Sequence, residues 1–359
     1  MQKSAGKKMV SILLPVYNCG RYLRDALESL LSQTFQDFEL LAIDDGSADN
    51  TAEILHSYQD RRLRVVHNER NLGLVKTLNR GLELAQGRYI ARADADDIYL
   101  PERLEKQFSF IEQHPEFAAV GSWYLKIDPE GKRLGITKTP ADPEAIRFRI
   151  LTENSMAHPT MFFSREVANS LGGYSDLKLV EDWDLWSRML SSGYKIANIP
   201  EALVKYRVHS ENISLLCQSS IRRQAFSSMI RRNLKALAGI EVDDSGSALL
   251  YDSRFMPENI SKDKIEPAVE LCRDILKRLE ESFRSREAGE ELKRLKGILY
   301  LNLASAALNS GKNGLARSLY LKLIREGIYI MGALPRYGAS FFDRKIVDFF
   351  RSLRGKLSP

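Results

Sequence analysis

The feature that most constrains this 359-residue chain is the alternation of short apolar segments with amphipathic segments over its first hundred residues. Short apolar runs predict buried strands, and apolar side chains at helical spacing predict helices between them. Such alternation favours an α/β fold built on a mostly parallel sheet with right-handed crossover connections. The predicted strands are 10–16, 38–43, 63–67 and 88–93, and the predicted helices are 21–31, 51–58 and 74–85.

Polar side chains follow each predicted strand. In sheets of this kind, ligands bind beyond the carboxyl ends of the strands, so these side chains are candidates for one common site. They are Tyr17 and Asn18, then Asp44 and Asp45, then Asn68 to Asn71, and last Asp94 to Asp97.

The acidic stretch Asp94-Ala95-Asp96-Asp97 carries the strongest chemical signal. Three carboxylates within four residues repel one another unless a cation or a solvated turn relieves the repulsion. Closely spaced carboxylate oxygens suit a hard divalent ion such as Mg²⁺ or Mn²⁺, which could in turn hold a diphosphate. The alternative interpretation is a solvated acidic loop.

The remainder of the chain predicts further α/β structure and then helices alone. Asp128-Pro129-Glu130-Gly131 predicts a turn between two strands of a hairpin. Strand signals end near residue 214, which predicts an α/β domain at 1–214 and an all-helical region at 215–359. The other predicted strands are 118–127, 133–137, 156–163 and 202–208; the other predicted helices are a helix opening at Pro101 and 142–151, 182–192, 219–237, 265–283, 290–308, 315–325 and 341–353.

Two segments of the helical region have individual interpretations. Residues 241–259 are polar and contain Pro257, which predicts a linker. The turn Gly311-Lys312-Asn313-Gly314 lies between segments with small residues, which predicts one tetratricopeptide-like hairpin.

Composition and charge limit the class of protein. An apolar fraction of 44% and a charged fraction of 28% are ordinary for a soluble globular protein. No apolar run is long enough to span a membrane, and the basic Met1–Lys8 start lacks a signal-peptide cleavage pattern. Three cysteines without metal-type spacing fit a reducing cytoplasm.

The positive charge is concentrated late in the chain. Residues 1–210 carry 27 Lys and Arg against 29 Asp and Glu, whereas residues 211–359 carry 26 against 18. This asymmetry predicts an anionic partner for the later part, and the absence of nucleic-acid-binding signatures favours a membrane surface over nucleic acid. A solvated basic surface or an oligomer interface is the alternative, so the expected location is the cytoplasm or, peripherally, the inner face of the cytoplasmic membrane.

Together, the strand-end residues resemble the family 2 glycosyltransferases, an inverting group with the GT-A fold. This fold is a Rossmann-like mixed sheet found in transferases that use nucleotide-diphospho-sugars. The resemblance covers residues 9 to about 214, and its weight comes from the order and spacing of several motifs. The matching segments are VSILLPVYN (10–18), SQTF (32–35), DFELLAIDDGS (37–47), Asn71-Leu72-Gly73, Asp94–Asp97, EDWDLW (181–186) and YRVH (206–209).

The resemblance implies a nucleotide-sugar donor, most readily a UDP-sugar, in the cleft. Pro15, Tyr17 and Asp45 would hold the nucleoside, with the Asp45 carboxylate accepting a hydrogen bond from the base. Asp44 is a further candidate, although its carboxylate could simply cap the following helix. The complete set of donor-binding candidates is Pro15, Tyr17, Asn18, Asp44, Asp45, Asn71, Lys76, Asp94 and Arg207.

The resemblance also implies a metal site. Asp96 matches the family's metal ligand, and Asp94 would lie near the metal or the ribose. His209 would bind the metal or the diphosphate, with a structural role as the alternative, while Asp97 could instead cap the next helix. Such a cation neutralises the charge that grows on the nucleoside diphosphate as the sugar–phosphate bond breaks.

On the acceptor side, Asp182 matches the general base, which takes the proton from the attacking hydroxyl. The alternative is that Asp182 only caps its helix; Glu181 is then the second candidate for the base. Asp184 is interpreted as orienting the site or the acceptor. Trp183 is a candidate for stacking on an acceptor sugar, and His158 is a candidate for lining the cleft.

The resemblance therefore predicts an enzyme that transfers a single sugar to a saccharide or lipid-linked acceptor in cell-surface polysaccharide assembly. Three other functions are alternatives. A nucleotidyltransferase would carry a glycine-rich basic loop after the first strand, whereas this loop has one glycine, Gly20. A processive synthase would carry membrane spans and a Gln-x-x-Arg-Trp motif, and neither is present in the sequence. A non-catalytic sugar-nucleotide-binding scaffold would not need the acidic motifs.

Overall fold

A computed structural model describes residues 9–210, 212, 219–250, 265–282, 284–309 and 311–325. Within these residues the chain forms nine strands in one sheet. The strands are β1 (Val10–Val16), β2 (Phe38–Asp44), β3 (Leu63–His67), β4 (Tyr89–Arg92), β5 (Ile98–Tyr99), β6 (Phe117–Ile127), β7 (Arg133–Thr137), β8 (Phe162–Ser164) and β9 (Lys195–Arg207).

The sheet is mixed, and its strand order is β3-β2-β1-β4-β8-β6-β9-β5, with β7 paired to β6. The first four strands are parallel, as the sequence predicts. Strand β8 is antiparallel to both β4 and β6, β9 is parallel to β6, and β5 is antiparallel to β9. The chain therefore crosses from β4 to the far edge of the sheet through the acidic stretch between β4 and β5.

Helices cover both faces of the sheet. In sequence order they are α1 (Leu23–Leu31), α2 (Thr51–Ser57), α3 (Leu74–Leu84), α4 (Arg103–Gln113), α5 (Pro143–Arg149), α6 (Arg165–Ser170), α7 (Glu181–Ser191), α8 (Ser219–Ala238), α9 (Asp244–Leu250), α10 (Ile265–Ser282), α11 (Arg286–Asn309) and α12 (Asn313–Arg325). Among them, none is long and apolar enough to cross a membrane.

Alternation along the strands divides the core into two layers. Leu13 and Leu41 point to the layer that contains α3, α5 and α7, whereas Ile12 and Leu40 point to the layer that contains α1, α2 and α4. Because successive side chains of a strand face opposite sides, one apolar run supplies both layers. This is why the parallel strands lack a polar face.

Two predicted elements differ in kind from the structure, and two observed elements have no predicted counterpart. Residues 156–163 do not form one strand, because a 3-10 turn at His158–Thr160 precedes the short β8. Residues 241–259 are not wholly linker, since α9 begins at Asp244. The sequence also gave no sign of the two-residue β5 or of α6. The predicted helix at 341–353 lies outside the described residues.

The helices after residue 214 share a core with the sheet layer that contains α7. Leu234 of α8 and Leu299 of α11 belong to the same buried cluster as Trp183 and Leu13. Helices α11 and α12 pack against each other as a hairpin, with Ala304 and Ala316 buried. The tetratricopeptide character of this hairpin and the boundary at 214/215 stay predictions.

Gly46, which follows Asp45, occupies a position that only glycine fits. Its φ is +75°, and a Cβ there would lie 2.8 Å from the carbonyl carbon of Arg70. Gly131 in the β6–β7 turn has a similar φ of +86°, but open space surrounds it. Substitutions at the two positions can therefore distinguish the cost of a positive φ from the cost of a steric clash.

We expect Gly46→Ala to lower the free energy of unfolding by more than Gly131→Ala does. The control substitution carries only the cost of a positive φ, about 1 kcal/mol. Gly46→Ala adds a clash with backbone that cannot rotate away, and we expect a loss of about 2–3 kcal/mol. Denaturant unfolding of both variants measures the difference; equal losses would contradict the steric argument.

Candidate functional site

The acidic stretch forms a tight turn over the carboxyl end of the sheet. Carboxylate oxygens of Asp94, Asp96 and Asp97 all lie within 4.8 Å of one another. The Tyr99 hydroxyl fixes the turn, because it donates to the Asp94 carbonyl oxygen (2.9 Å) and accepts from the Asp94 N–H (2.5 Å). The alternative of three independently solvated carboxylates is not what the structure has.

Each carboxylate of the turn has a partner of its own. Arg92 Nη2 lies 2.7 Å from Asp94 Oδ1, and His209 Nε2 lies 2.9 Å from Asp96 Oδ2. The backbone N–H of Arg207 donates to Asp97 Oδ1 at 2.8 Å. The C-terminal end of β9 is thereby joined to the turn.

The turn nevertheless holds more negative charge than its partners neutralise. Burial, followed by the charges of Asp96 and Asp94, raises the pKa of Asp97 well above its usual range. Burial and the charge of Asp94 likewise raise the pKa of Asp96. Among the described residues, no donor reaches the buried Asp97 Oδ2. A hard divalent cation would bind the clustered oxygens, relieve their repulsion and give the buried Asp97 Oδ2 a partner.

Arg207 clamps the turn from the side. Its Nε donates to the Asp96 carbonyl oxygen (2.9 Å), its Nη1 donates to the Pro129 carbonyl oxygen (2.7 Å), and its Nη2 lies 3.1 Å from Asp25 Oδ2. The residue is 2% exposed. In this structure Arg207 acts on protein groups, and its predicted contact with the diphosphate stays a prediction.

The loops after β1 and β2 form the neighbouring part of the site. Asp45 Oδ1 accepts from the Leu72 N–H and Asp45 Oδ2 accepts from the Gly73 N–H, both at 2.9 Å, and Asn68 Nδ2 donates to Oδ1 at 2.6 Å. Asp45 therefore fixes the Asn71-Leu72-Gly73 loop as well as being a candidate for contact with the base. The sequence did not predict this structural role.

The other donor-side candidates fall into two groups. Asp44 Oδ1 accepts from the Ser47 N–H (3.0 Å), which holds the loop after β2 and caps no helix, since α2 begins only at Thr51, and Oδ2 lies 3.0 Å from His67 Nδ1. Asn18 Oδ1 accepts from the Ala48 N–H and joins the two loops. The remaining side chains offer surface to a ligand: Tyr17 is 50% exposed, Asn71 and Lys76 are exposed, and Pro15 is half-buried.

Helix α7 supplies the carboxylates of the opposite wall. Asp182 lies in its first turn, where Asn154 Nδ2 donates to Oδ2 (2.8 Å) and the Trp183 N–H donates to Oδ1 (2.7 Å). Burial first, and then the charge of Glu181, raise the pKa of Asp182 to about 7. Burial also raises the pKa of Glu181.

The acidic turn and the first turn of α7 lie close enough for their charges to interact. The charge of Asp94 contributes to the raised pKa of Glu181, and the charge of Arg92 acts on both Glu181 and Asp182. Such effects require proximity within a poorly screened interior. Arg92 is 1% exposed and reaches Asp94 directly, so one buried guanidinium acts on the acidic turn and on the first turn of α7.

His158 is packed in the interior near Arg92. Its Nε2 lies 2.9 Å from the Tyr174 hydroxyl, and its ring contacts Trp186 edge-on at 6.1 Å. Burial and the nearby charge of Arg92 lower the pKa of His158 well below its usual range. The imidazole is therefore neutral near pH 7, which suits a packing or hydrogen-bonding role.

Two residues of α7 lie deeper than the sequence suggested. Trp183 is 1% exposed, donates from Nε1 to the Ile150 carbonyl oxygen (2.9 Å) and packs against Phe226. Its predicted stacking on an acceptor sugar is therefore corrected, because its ring is enclosed by the core. Asp184 is 0% exposed, in ion pairs with Arg188 and Arg232. This position supports orientation of the site without contact with a substrate.

Sequence reasoning gave too little weight to two residues of the site. Nothing in the sequence marks Arg92 as more than a charge beside the acidic stretch, whereas in the structure its charge also acts on Glu181 and Asp182. Asn154, the hydrogen-bond donor to Asp182, was not singled out. It lies 28 positions before its partner in an irregular segment, and no spacing pattern marks it.

The fold agrees with the comparisons with known proteins. The model of glycosyl transferase family 2 matches residues 11–172. The amylovoran biosynthesis glycosyltransferase AmsE of Erwinia amylovora is 34% identical over 210 residues, which cover 57% of this chain and 79% of that protein. WfaP of Escherichia coli, a UDP-Glc:alpha-D-GlcNAc-diphosphoundecaprenol beta-1,3-glucosyltransferase, is 32% identical over 209 residues, covering 58% and 80%.

The chain belongs to glycosyl transferase family 2 and is a glycosyltransferase. Similar solved structures include Staphylococcus aureus TarS 1–349 in complex with UDP-GlcNAc (TM-score 0.53, 17% identity, 89% of this chain and 92% of that chain). Another is mannosyltransferase PcManGT from Pyrobaculum calidifontis in complex with GDP-Man and Mn²⁺ (TM-score 0.53, 16% identity, 90% and 82%). These likenesses confirm the GT-A fold, followed by helices.

The raised pKa of Asp182 generates a test of the geometry of α7. Because the charge of Glu181 helps to raise that pKa, Glu181→Gln should lower it from about 7. Carbon-13 NMR titration of labelled aspartate carboxyls measures the shift, with Asp182→Asn assigning the resonance. Glu166→Gln, at an exposed position of α6, is the matched control and should leave the pKa unchanged. An unchanged pKa in Glu181→Gln would contradict the proximity of the two carboxylates.

Proposed function

We propose that this glycosyltransferase moves a single sugar from a nucleotide-sugar donor to a hydroxyl of a saccharide or lipid-linked acceptor. Transfer inverts the anomeric centre and depends on a divalent cation. The observation that carries the proposal is the carboxylate cluster of the acidic turn near the carboxylates of α7, which the charges of Asp94 and Arg92 reach. A donor diphosphate at one wall and an acceptor hydroxyl at the other would meet there.

The donor end lies over the loops after β1 and β2. Exposed Tyr17 offers an aromatic face, Pro15 and Asp45 lie beside it along the sheet edge, and Asn71 and Lys76 border the same edge. We propose a UDP-sugar as the donor. Support comes from TarS, whose structure contains UDP-GlcNAc, although PcManGT with GDP-Man has the same fold and a different base.

The acidic turn is the proposed cation site. Asp96, Asp94 and His209 would hold Mn²⁺ or Mg²⁺, and a carboxylate oxygen of Asp97 lies in the same cluster. A bound cation would supply positive charge where the leaving diphosphate develops negative charge. PcManGT, which shares the fold, was solved with Mn²⁺.

Asp182 is the proposed general base. Two hydrogen bonds, from Asn154 and from the Trp183 N–H, fix the orientation of its carboxylate. The acceptor hydroxyl attacks the anomeric carbon on the side opposite the diphosphate while its proton passes to the carboxylate. A pKa of about 7 makes the carboxylate a better proton acceptor than an ordinary aspartate, yet leaves much of it ionised at neutral pH.

The acceptor is proposed from what the names of two relatives say. AmsE is named for amylovoran biosynthesis and WfaP for transfer to a diphosphoundecaprenol-linked sugar. A related role in cell-surface polysaccharide assembly would bring the enzyme to a lipid-linked acceptor at the inner face of the membrane. Contact with an anionic membrane surface, a cytoplasmic location and an oligomer stay predictions.

We expect Asp182→Asn to lower the rate of transfer by about 10²–10⁴-fold, the contribution typical of a positioned base. The amide keeps the shape and the hydrogen-bond acceptor of the side chain but cannot take a proton. Donor affinity, measured by calorimetry with Mn²⁺ present, should stay close to that of the unchanged enzyme. Parallel loss of donor binding and transfer would remove the assignment of the base.

We expect Asp96→Ala to abolish both transfer and its stimulation by Mn²⁺, because the turn loses the carboxylate that faces His209. Water-proton relaxation of Mn²⁺ solutions measures ion binding independently of activity. Glu112→Gln, which removes a surface carboxylate paired with Arg88, is the control and should bind Mn²⁺ normally. Metal-stimulated turnover that persists in Asp96→Ala would contradict the cation site.

A further inference from the structure

Asp184 is a buried charge on the helix that carries the proposed base. It lies two residues after Asp182 in the first turn of α7 and is 0% exposed. Its Oδ2 accepts from Ser175 Oγ and from Arg188 Nε, both at 2.7 Å. A buried carboxylate is stable only when it is fully paired, so the other oxygen needs a partner as well.

The second oxygen is paired from outside the predicted catalytic domain. Asp184 Oδ1 lies 2.8 Å from Arg232 Nη2, and within the described part of the chain no hydrogen-bond donor with good geometry reaches this oxygen. Arg232 belongs to α8, and its side chain is 48% exposed. A cation from the C-terminal region therefore pairs with one of the two oxygens of the buried Asp184 carboxylate.

Helix α8 also supports the segment that hydrogen-bonds the base. Asn233 Nδ2 donates to the Ile150 carbonyl oxygen at 2.7 Å, and the same carbonyl accepts from Trp183 Nε1. Four residues after Ile150, Asn154 donates to Asp182. Phe226 of α8 packs edge-on against Trp183 with ring centroids 5.3 Å apart. Helix α8 thus packs against Trp183 directly and holds the chain at Ile150, four residues before Asn154.

We infer that Arg232 is a positioning residue for Asp182, and that α8 completes the catalytic unit. The inference rests on the proposed function, since it concerns the base of that reaction. Arg232 does not face the reacting atoms; it acts through Asp184 on the first turn of α7. Proton transfer demands close placement of the base, and a displacement of 1 Å can cost about 10²-fold in rate.

The chain offers a matched control for this residue. Arg231 is the preceding residue of α8, and its guanidinium pairs with Asp244 of α9, away from α7. We expect Arg232→Ala to lower kcat by about tenfold or more, with the KM and Kd for the nucleotide-sugar donor nearly unchanged. Arg231→Ala should leave kcat unchanged. Because Arg232 is half exposed, added guanidinium ion at millimolar concentration should restore part of the kcat of Arg232→Ala and leave that of Arg231→Ala unaffected.

The outcomes separate positioning from simple stability. A normal kcat in Arg232→Ala would overturn the inference, as would a loss of kcat matched by an equal loss of donor-binding sites. If Arg232→Ala does not fold, Arg232→Lys keeps the charge with a shorter reach: we expect it to bind donor fully with a reduced kcat, and full kcat would overturn the role of the guanidinium. If the unchanged enzyme transfers no sugar, the proposed function fails first.

Discussion

The site depends on the positive charge of the buried Arg92 guanidinium, which pairs with Asp94. The carboxylates of the acidic turn and of α7 repel one another, and without the positive charge of Arg92 nearby their pKa values would rise further and favour protonation. Arg92 is placed at the end of β4, where its N–H donates to the Met161 carbonyl oxygen beside β8. It therefore lies where the parallel half of the sheet meets the antiparallel half, and it belongs to both walls of the site.

The parallel half could be predicted from sequence because its signals are local. Val10–Val16 and Leu63–His67 have the predicted bounds, since a short segment rich in Val, Ile and Leu between polar ends leaves few alternatives. The strand order beyond β4 has no local signal, because β8 enters between β4 and β6 through pairings of distant residues. The 3-10 turn at His158–Thr160 was mistaken for strand for the same reason: its apolar flanks resemble β structure.

Residue type and motif order located the acidic turn and Asp182, but the direction of each side chain follows from helix phase and packing. Asp182 and Asp184 lie in one helical turn, yet Asp182 faces Asn154, whereas Asp184 is enclosed by Ser175, Arg188 and Arg232. Trp183 between them is committed to the core. Helical geometry turns successive residues by about 100°, so adjacent motif residues rarely share a role.

The pairing of Asp184 with Arg232 also bears on how the chain is divided. A change in composition near residue 214 marks the end of the strands, but a buried ion pair and a shared core cross that point. Cutting there would expose apolar surface of α7 and leave Asp184 Oδ1 without its cation, and burying an unpaired charge typically costs several kcal/mol. The composition changes near residue 214, but the contacts that stabilise α7 continue beyond it. The sheet and α8 are better regarded as one folding unit in which later helices stabilise the wall that carries the base.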